Sequence, residues 1–319
     1  PAMLEFYSEK LGVEYPWDKY SQVIVHDYVS GAMENTTATV HGEFVQRDKR
    51  ELIDRNFEDY IAHELFHHWF GDLVTCESWS NIPLNESFAN YSEYLWSEFY
   101  YGRDAADYIQ YNDVQAYLRE ARTKQVNLIR FHYDQREDMY DRHSYEKGGR
   151  VLHMLRKYLG DEAFFAGLKK YLTDNRFQSA EIHNLRLAFE SVTGEDLNWF
   201  FNEWFLDKGH PILRINTINR DSAGSTFVRV EQMQDISTTP LYKLPVDVDF
   251  YFPDSVHRER ITITKADQSF EFHFPLEPTL INFDAEKMLL CEKNDVHSIA
   301  EWKELQLRGQ RFLDRLEAL

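Results

Sequence analysis

The chain has 319 residues, of which 43% are hydrophobic and 15% are aromatic. This composition excludes a disordered or collagen-like protein and is typical of about two folded domains. The 54 Asp and Glu residues outnumber the 35 Lys and Arg residues, and the resulting net charge of −19 argues against nucleic acid as a partner. The apolar runs are too short for a transmembrane helix, so we predict no membrane span.

The first part of the chain combines a short helix with strands. The apolar spacing predicts a helix over residues 3–11, and β-branched alternation predicts strands over residues 23–28 and 37–44. The two strands flank the segment Gly-Ala-Met-Glu-Asn at residues 31–35.

Residues 55–206 are predominantly helical, because their apolar residues recur at three- and four-residue spacing. Several of the helices end at glycine, the residue preferred just after a helix C-terminus. The predicted helices cover residues 56–70, 85–101, 104–121, 145–159, 161–173, 181–192 and 195–206.

The sequence period changes from helical to alternating near residue 210. A series of short strands separated by turn residues then predicts a β-sandwich over residues 210–294. The strands are predicted at residues 212–216, 226–232, 244–252, 260–264 and 269–274. Residues 295–319 are helical again and are predicted to be the truncated start of a C-terminal helical region. The fold class is therefore α+β, and we expect the chain to be a piece of a longer protein.

The most informative motif is His63-Glu64-Leu65-Phe66-His67, an HExxH pattern in a predicted helix. Residues four apart project from the same helix face, so the two imidazoles can converge on one metal ion. Glu64 points about 100° away and can reach a metal-bound water without being a ligand. The alternative is that His63 and His67 are ordinary surface histidines on a polar helix face.

Glu86 follows His67 by 19 positions, on the next predicted helix. An antiparallel helix pair can place its carboxylate opposite His63 and His67, completing a catalytic His₂Glu set with one position left for water. Glu86 could also be a first-turn carboxylate that the helix dipole favours. Asn90, one turn later, is a candidate hydrogen-bond partner of a ligand histidine, or else a solvent-facing residue.

These motifs together resemble the gluzincin aminopeptidases of the aminopeptidase N type. The resemblance includes HExxH followed after eighteen residues by Glu86, the family's GAMEN motif at residues 31–35, and its YEKG segment at residues 145–148. It implies a thermolysin-like catalytic domain over residues 1–209, followed by the β-sandwich. It also implies one zinc ion per chain, held by His63, His67 and Glu86.

The family resemblance further implies the roles of two catalytic residues. Glu64 acts as a general base toward water and then as a general acid toward the leaving amine. Tyr145 donates a hydrogen bond to the developing oxyanion. In the family, an N-terminal β-domain and a C-terminal helical domain complete the site. We expect the 319-residue chain, without them, to bind zinc but to cleave weakly.

The segment at residues 31–35 carries the predicted substrate contacts. Glu34 is expected to pair with the free α-ammonium group of a peptide, which only a chain terminus carries. The backbone of Gly31 and Ala32 is expected to pair with an extended substrate, and Met33 and Asn35 complete the segment. The predicted partner is therefore a peptide with a free N-terminus.

Two other functions remain open at the level of sequence. A thermolysin-type endopeptidase shares HExxH and the downstream glutamate but has no use for Glu34. A catalytically silent scaffold of the same fold would be expected to lack a ligand or Glu64, and the sequence retains all of them.

Overall fold

The computed structural model describes residues 1–219 and 224–319. The chain divides into two compact units, one made of Pro1–Tyr117 and Leu128–Phe201 and the other of Leu118–Asn127 and Asn202–Leu319. Both helices and strands are present, as the α+β prediction requires. Among the described helices, none combines the length and the hydropathy needed to cross a bilayer.

The first unit begins with helix α1 (Ala2–Leu11) and a three-stranded sheet. Its strands are β1 (Ser21–Val25), β2 (Ala32–Met33) and β3 (Ala38–Gly42). The order is β1–β3–β2, with β1 parallel and β2 antiparallel to the central strand β3. The Gly-Ala-Met-Glu-Asn segment therefore contributes one of the two edge strands of this sheet, β2.

Helices α2 (Glu58–Phe66) and α3 (Pro83–Tyr100) pack against each other at the centre of the first unit. Helix α2 is shorter than the predicted 56–70. It begins after Phe57, whose φ of 55° is left-handed, and it gives way to a wide turn in which the amide of Asp72 donates to the carbonyl of His67 at 2.9 Å. Helix α3 begins two residues before the predicted start, because proline is favoured in the first helical turn.

The short strand β4 (Val74–Cys76) lies between α2 and α3 and pairs in parallel with β5 (Gln178–Ala180). Sequence analysis predicted neither strand. A π-helical turn, His143–Lys147, leads into α5, and a second one, Asn202–Leu206, opens the second unit. The remaining helices that begin in the first unit are α4 (Arg103–Ala121), α5 (Gly148–Leu159), α6 (Asp161–Asp174), α7 (Ile182–Thr193) and α8 (Asn198–Phe201).

Close packing joins the start of α5 to α3. A Cβ atom added to Gly148 would lie 1.8 Å from Ser87 Oγ, and one added to Gly149 would lie 2.2 Å from Asn90 Oδ1. Only glycine permits this approach. The Ser87 hydroxyl also donates to the carbonyl of Ser144 at 2.7 Å. The segment that carries Tyr145 is thus fixed against the helix that carries Glu86.

The second unit contains two sheets and two terminal helices. One sheet has the order β10–β7–β6–β12 and the other has the order β11–β8–β9. Each of the five predicted strands overlaps an observed strand, whereas β11 and β12 were not predicted; residues 220–223 of the predicted β-domain lie outside the described residues. The strands are β6 (Ile212–Ile218), β7 (Thr226–Gln232), β8 (Leu244–Tyr251), β9 (Val256–Ile263), β10 (Asp267–Phe272), β11 (Leu280–Phe283) and β12 (Glu292–Asp295).

The predicted helical segment after residue 295 forms two helices, α9 (Ile299–Arg308) and α10 (Phe312–Glu317). The break falls at Gly309, whose amide closes α9 by donating to the carbonyl of Leu305 at 2.8 Å. A new helix then starts with the amide of Arg311 donating to Asp314 at 2.9 Å.

Candidate active site

Helix α2, the residue His67 that caps its C-terminus, and helix α3 bring His63, His67 and Glu86 together inside the first unit. Glu86 Oε2 lies 3.4 Å from Nε2 of His63 and 3.4 Å from Nε2 of His67. One potential ligand atom from each residue falls within 4.8 Å of the others, and all three side chains are largely buried. The helix pairing thus produces the convergence that the sequence spacing predicts.

The other ring nitrogen of each histidine has its own hydrogen-bond partner. His67 Nδ1 lies 3.0 Å from the carbonyl oxygen of Phe70, which can only accept, so Nδ1 carries the proton. His63 Nδ1 lies 2.9 Å from Glu93 Oε1. Protonated Nδ1 atoms leave both Nε2 lone pairs directed at the space beside Glu86, the orientation that metal-ligating histidines require.

Glu93 is a site residue that the sequence analysis missed. The candidate partner on the same helix was Asn90, which is buried and whose Oδ1 atom has no hydrogen-bond partner among the described residues. Glu93 lies seven residues after Glu86, which is two helical turns and therefore the same helix face. That i+7 spacing was the available signal in the sequence.

The electrostatic environment of the site stabilises positive charge. Burial lowers the pKa of His63, but Glu86 and Glu93 outweigh this effect and hold it well above its usual range. Burial likewise lowers the pKa of His67, while Glu34 and Glu86 raise it to about 9. Burial raises the pKa of Glu86, yet the two imidazoles hold it below its usual range. A divalent cation can replace these protons, and the two nitrogens and one carboxylate suit it as donors.

Glu64 lies beside His63, His67 and Glu86, which we call the metal-type group, but it is not one of these three potential ligands. The residue is 6% exposed, and its Oε2 atom has no hydrogen-bond partner among the described residues. Burial raises the pKa of Glu64 to about 7. Ligand atoms of Glu34, Glu64 and His67 also lie within 4.8 Å of one another. A buried carboxylate with an unused oxygen is available to exchange a proton with a bound molecule.

Tyr145 lies against the same group. Its ring stacks on the His63 ring with centroids 5.9 Å apart and an interplanar angle of 12°. Its hydroxyl lies near enough to Glu86 for that carboxylate to influence its pKa. Burial, followed by the charge of Glu86, raises the pKa of the phenol well above its usual range. The hydroxyl therefore remains protonated and can act as a donor.

The segment at residues 31–35 is held in the sheet of the first unit by backbone contacts. In the sheet, Ala32 pairs with His41 and Met33 pairs with Val40, while the carbonyl of Gly31 accepts from the amide of Gly42 at 3.0 Å. The carbonyl of Asn35 accepts from the amide of Ala38 at 2.8 Å, which closes a turn between β2 and β3. Glu34 thus follows directly on the edge strand.

His68 attaches this segment to helix α2. Its ring is fully buried, and burial lowers its pKa to about 4, so the ring is neutral. His68 Nε2 accepts from the amide of Thr37 at 3.0 Å. The turn that follows Glu34 is therefore tied to the HExxH segment.

Two histidines four residues apart and a downstream glutamate are a donor set typical of metallopeptidases. Residues 1–204 match the Peptidase family M1 domain, and the chain belongs to that family. The family predicted from the sequence motifs is thereby confirmed.

The chain is also similar to individual proteins. The chain is 32% identical over 227 residues to "Tricorn protease-interacting factor F2" of Thermoplasma volcanium, a match covering 67% of this chain and 28% of the relative. It is 29% identical over 299 residues to aminopeptidase N of Lactococcus lactis subsp. lactis, covering 83% of this chain and 32% of the relative. The chain thus spans about a third or less of these relatives.

A solved structure shares the fold. The crystal structure of Legionella pneumophila aminopeptidase A in complex with aspartic acid matches 99% of this chain and 36% of that chain, with a TM-score of 0.81 and 19% sequence identity.

Proposed function

We propose that this chain carries the catalytic site of a zinc aminopeptidase, which hydrolyses the first peptide bond of peptides with a free N-terminus. The observation that carries the proposal is that Glu34, Glu64 and His67 lie together beside the convergent group of His63, His67 and Glu86. The three potential metal ligands, the Glu64 carboxylate as a base and the Glu34 carboxylate as an anchor for the substrate amine therefore lie at one site. The test compares hydrolysis of a peptide with that of its N-acetylated form, and only the free peptide should be cleaved.

The proposed cofactor is one zinc ion held by His63, His67 and Glu86. Two imidazoles and one carboxylate form a catalytic zinc set. When bound, zinc supplies a Lewis acid that lowers the pKa of water and polarises a carbonyl group. The hydrogen bonds from the Nδ1 atoms of the histidines keep the Nε2 atoms available for this ion.

Glu64 is proposed to move the proton. Its carboxylate takes a proton from the attacking water, whose oxygen forms a bond to the carbonyl carbon. Glu64 then gives that proton to the nitrogen of the leaving amine as the C–N bond breaks. The partnerless Oε2 atom of Glu64 supports this assignment, because a proton carrier needs a lone pair that no other protein group occupies.

Tyr145 is proposed to donate its hydroxyl hydrogen to the oxygen of the peptide carbonyl as negative charge develops there. We expect Tyr145→Phe to lower kcat by about 10²–10³-fold, because one oxyanion donor contributes about that much. KM is expected to change little, since the ring still stacks on His63. Steady-state kinetics with an aminoacyl-arylamide checks this. The neighbouring Tyr140→Phe variant serves as the control, and an unchanged kcat for Tyr145→Phe would assign the oxyanion contact to another group.

Glu34 is proposed to bind the α-ammonium group of the substrate, with the backbone of Gly31 and Ala32 pairing to the peptide as an edge strand would. The side chains of Met33 and Asn35 complete this segment. The carboxylate would place the first peptide bond over the metal and would leave internal bonds without an anchor.

Glu34→Gln is expected to raise KM for aminoacyl-arylamides and to lower kcat/KM by about 10- to 10²-fold, since a contact between charged groups is lost. The rate on N-acetylated peptides, which carry no α-ammonium group, should not fall to the same degree. Parallel assays on free and acetylated peptides measure this selectivity. A variant that keeps full aminopeptidase activity would favour the endopeptidase alternative, which makes no use of Glu34.

We further propose a thermolysin-like fold for residues 1–209 and a β-sandwich for residues 210–294, with residues 295–319 beginning a helical region. The likeness in fold to an aminopeptidase structure supports the first assignment, and the two sheets of the second unit support the second. The relatives are about three to four times as long as the matched part, since it covers 28% and 32% of them. Flanking domains of such a protein are proposed to complete the substrate site.

A further inference from the structure

Helix α3 contributes two carboxylates to the neighbourhood of one histidine. Glu86 and Glu93 are separated by two turns and lie on the same helix face. Glu86 Oε2 contacts Nε2 of His63 at 3.4 Å, and Glu93 Oε1 contacts Nδ1 at 2.9 Å. The imidazole therefore lies between two carboxylates of one rigid helix.

The remaining contacts of the His63 ring are aromatic. The Tyr145 ring stacks on its face, and the His67 ring meets it edge-on with centroids 5.0 Å apart. Aromatic faces restrict the position of the ring plane but do not determine which ring nitrogen carries the proton. Among the contacts described for His63, the one with Glu93 selects the Nδ1–H tautomer. For His67, the backbone carbonyl of Phe70 selects the Nδ1–H tautomer, and no side-chain substitution removes this carbonyl.

We propose that Glu93 is the positioning residue of the metal centre, which keeps the Nε2 lone pair of His63 directed at the ion and makes the imidazole a stronger donor. This inference rests on the proposed function, because it presupposes that His63 binds the metal. A carboxylate behind a ligand histidine typically contributes about 10- to 100-fold in metal affinity. The two ring nitrogens of His63 and the carboxylates of Glu86 and Glu93 thus form one continuous row of contacts.

The Glu93 end of this row of contacts is open to small molecules. The Glu93 side chain is 19% exposed and lines a cleft of about 600 Å³. Glu58, Asp59 and Trp96 also line this cleft. Removing the Glu93 carboxylate would leave a space beside His63 Nδ1 that a formate ion can enter from the cleft. A lost carboxylate contact can therefore be restored chemically without changing the helix.

Zinc affinity is the direct readout of this proposal. The chain is freed of metal, and its zinc dissociation constant is measured by competition with a fluorescent chelator for the wild type, Glu93→Ala and Glu98→Ala. Glu98 is a matched control, because it is on the same helix, is 24% exposed and bonds the buried Arg156 at 2.7 Å. We expect Glu93→Ala to weaken zinc binding by about 10- to 100-fold. Glu98→Ala should lower the thermal unfolding midpoint but leave zinc affinity unchanged.

Rescue by formate distinguishes a positioning role of the Glu93 carboxylate from a role in packing. Adding formate, with chloride as the control anion, should restore much of the zinc affinity of Glu93→Ala and should not affect the wild type. The proposal is overturned if Glu93→Ala binds zinc as tightly as the wild type, if Glu98→Ala loses as much affinity, or if formate restores nothing. A wild-type chain that binds no zinc would instead contradict the proposed function itself. The two failures are therefore distinguishable.

Discussion

Replacement of His67 by alanine is expected to abolish zinc retention and, with it, peptide hydrolysis. His67 is 1% exposed, its Nε2 atom lies 3.4 Å from Glu86, and its Nδ1 proton is held by a backbone carbonyl. The variant leaves two donors where the proposed site has three. Because the metal is expected to supply several kcal/mol of transition-state stabilisation, the rate should fall by at least about 10³-fold.

The adjacent residue provides the control for this experiment. His68 is also fully buried, but its Nε2 atom accepts from the amide of Thr37 and does not face Glu86. His68→Ala should therefore retain about one zinc per chain, as measured by metal analysis after dialysis, even if the turn after Glu34 shifts. Equal zinc content in His67→Ala and the wild type would contradict the ligand assignment. A wild-type chain that retains no zinc would favour the catalytically silent scaffold.

The metal-type group could be predicted because its geometry is mostly local. His63 and His67 are one turn apart, so a single helix fixes their relation whatever the rest of the fold does. Glu86 needed one further condition, the pairing of α2 with α3. The structure meets this condition, because α2 and α3 pack against each other although residues 67–82 separate them. The family motifs then identified Glu34 and Tyr145, whose positions depend on segments far apart in the chain.

Other features depend on contacts that no short pattern encodes. Strands β4 and β5 have three residues each and pair across about a hundred positions, so neither shows an alternating period long enough to recognise. The end of α2 at Phe66 depends on a turn stabilised by the His67 carbonyl and the Asp72 amide. Glu93 was missed because an acidic residue on an amphipathic helix usually faces solvent. Only the packed structure shows that this one contacts His63.

Glu64→Gln is expected to lower kcat by about 10²–10⁴-fold, the usual contribution of a general acid–base residue. That range corresponds to about 3–5 kcal/mol. Glutamine has the same shape but cannot accept the proton of the attacking water, so substrate binding and KM should change little. Metal content should equal that of the wild type, because Glu64 is not one of the three proposed ligands. Single-turnover kinetics and metal analysis on the same preparation measure both quantities.

Metal content in this variant also decides between two donor sets. The structure brings together His63, His67 and Glu86, but it also brings Glu34, Glu64 and His67 within 4.8 Å of one another. An ion held by the second set would be lost in Glu64→Gln and retained in His63→Ala; an ion held by the first set gives the opposite result. We expect the first set to hold it, because both histidine Nε2 atoms face Glu86 and both Nδ1 atoms are already hydrogen-bonded. Glu64 is then left with a free oxygen beside the ion, where a base acting on water must be.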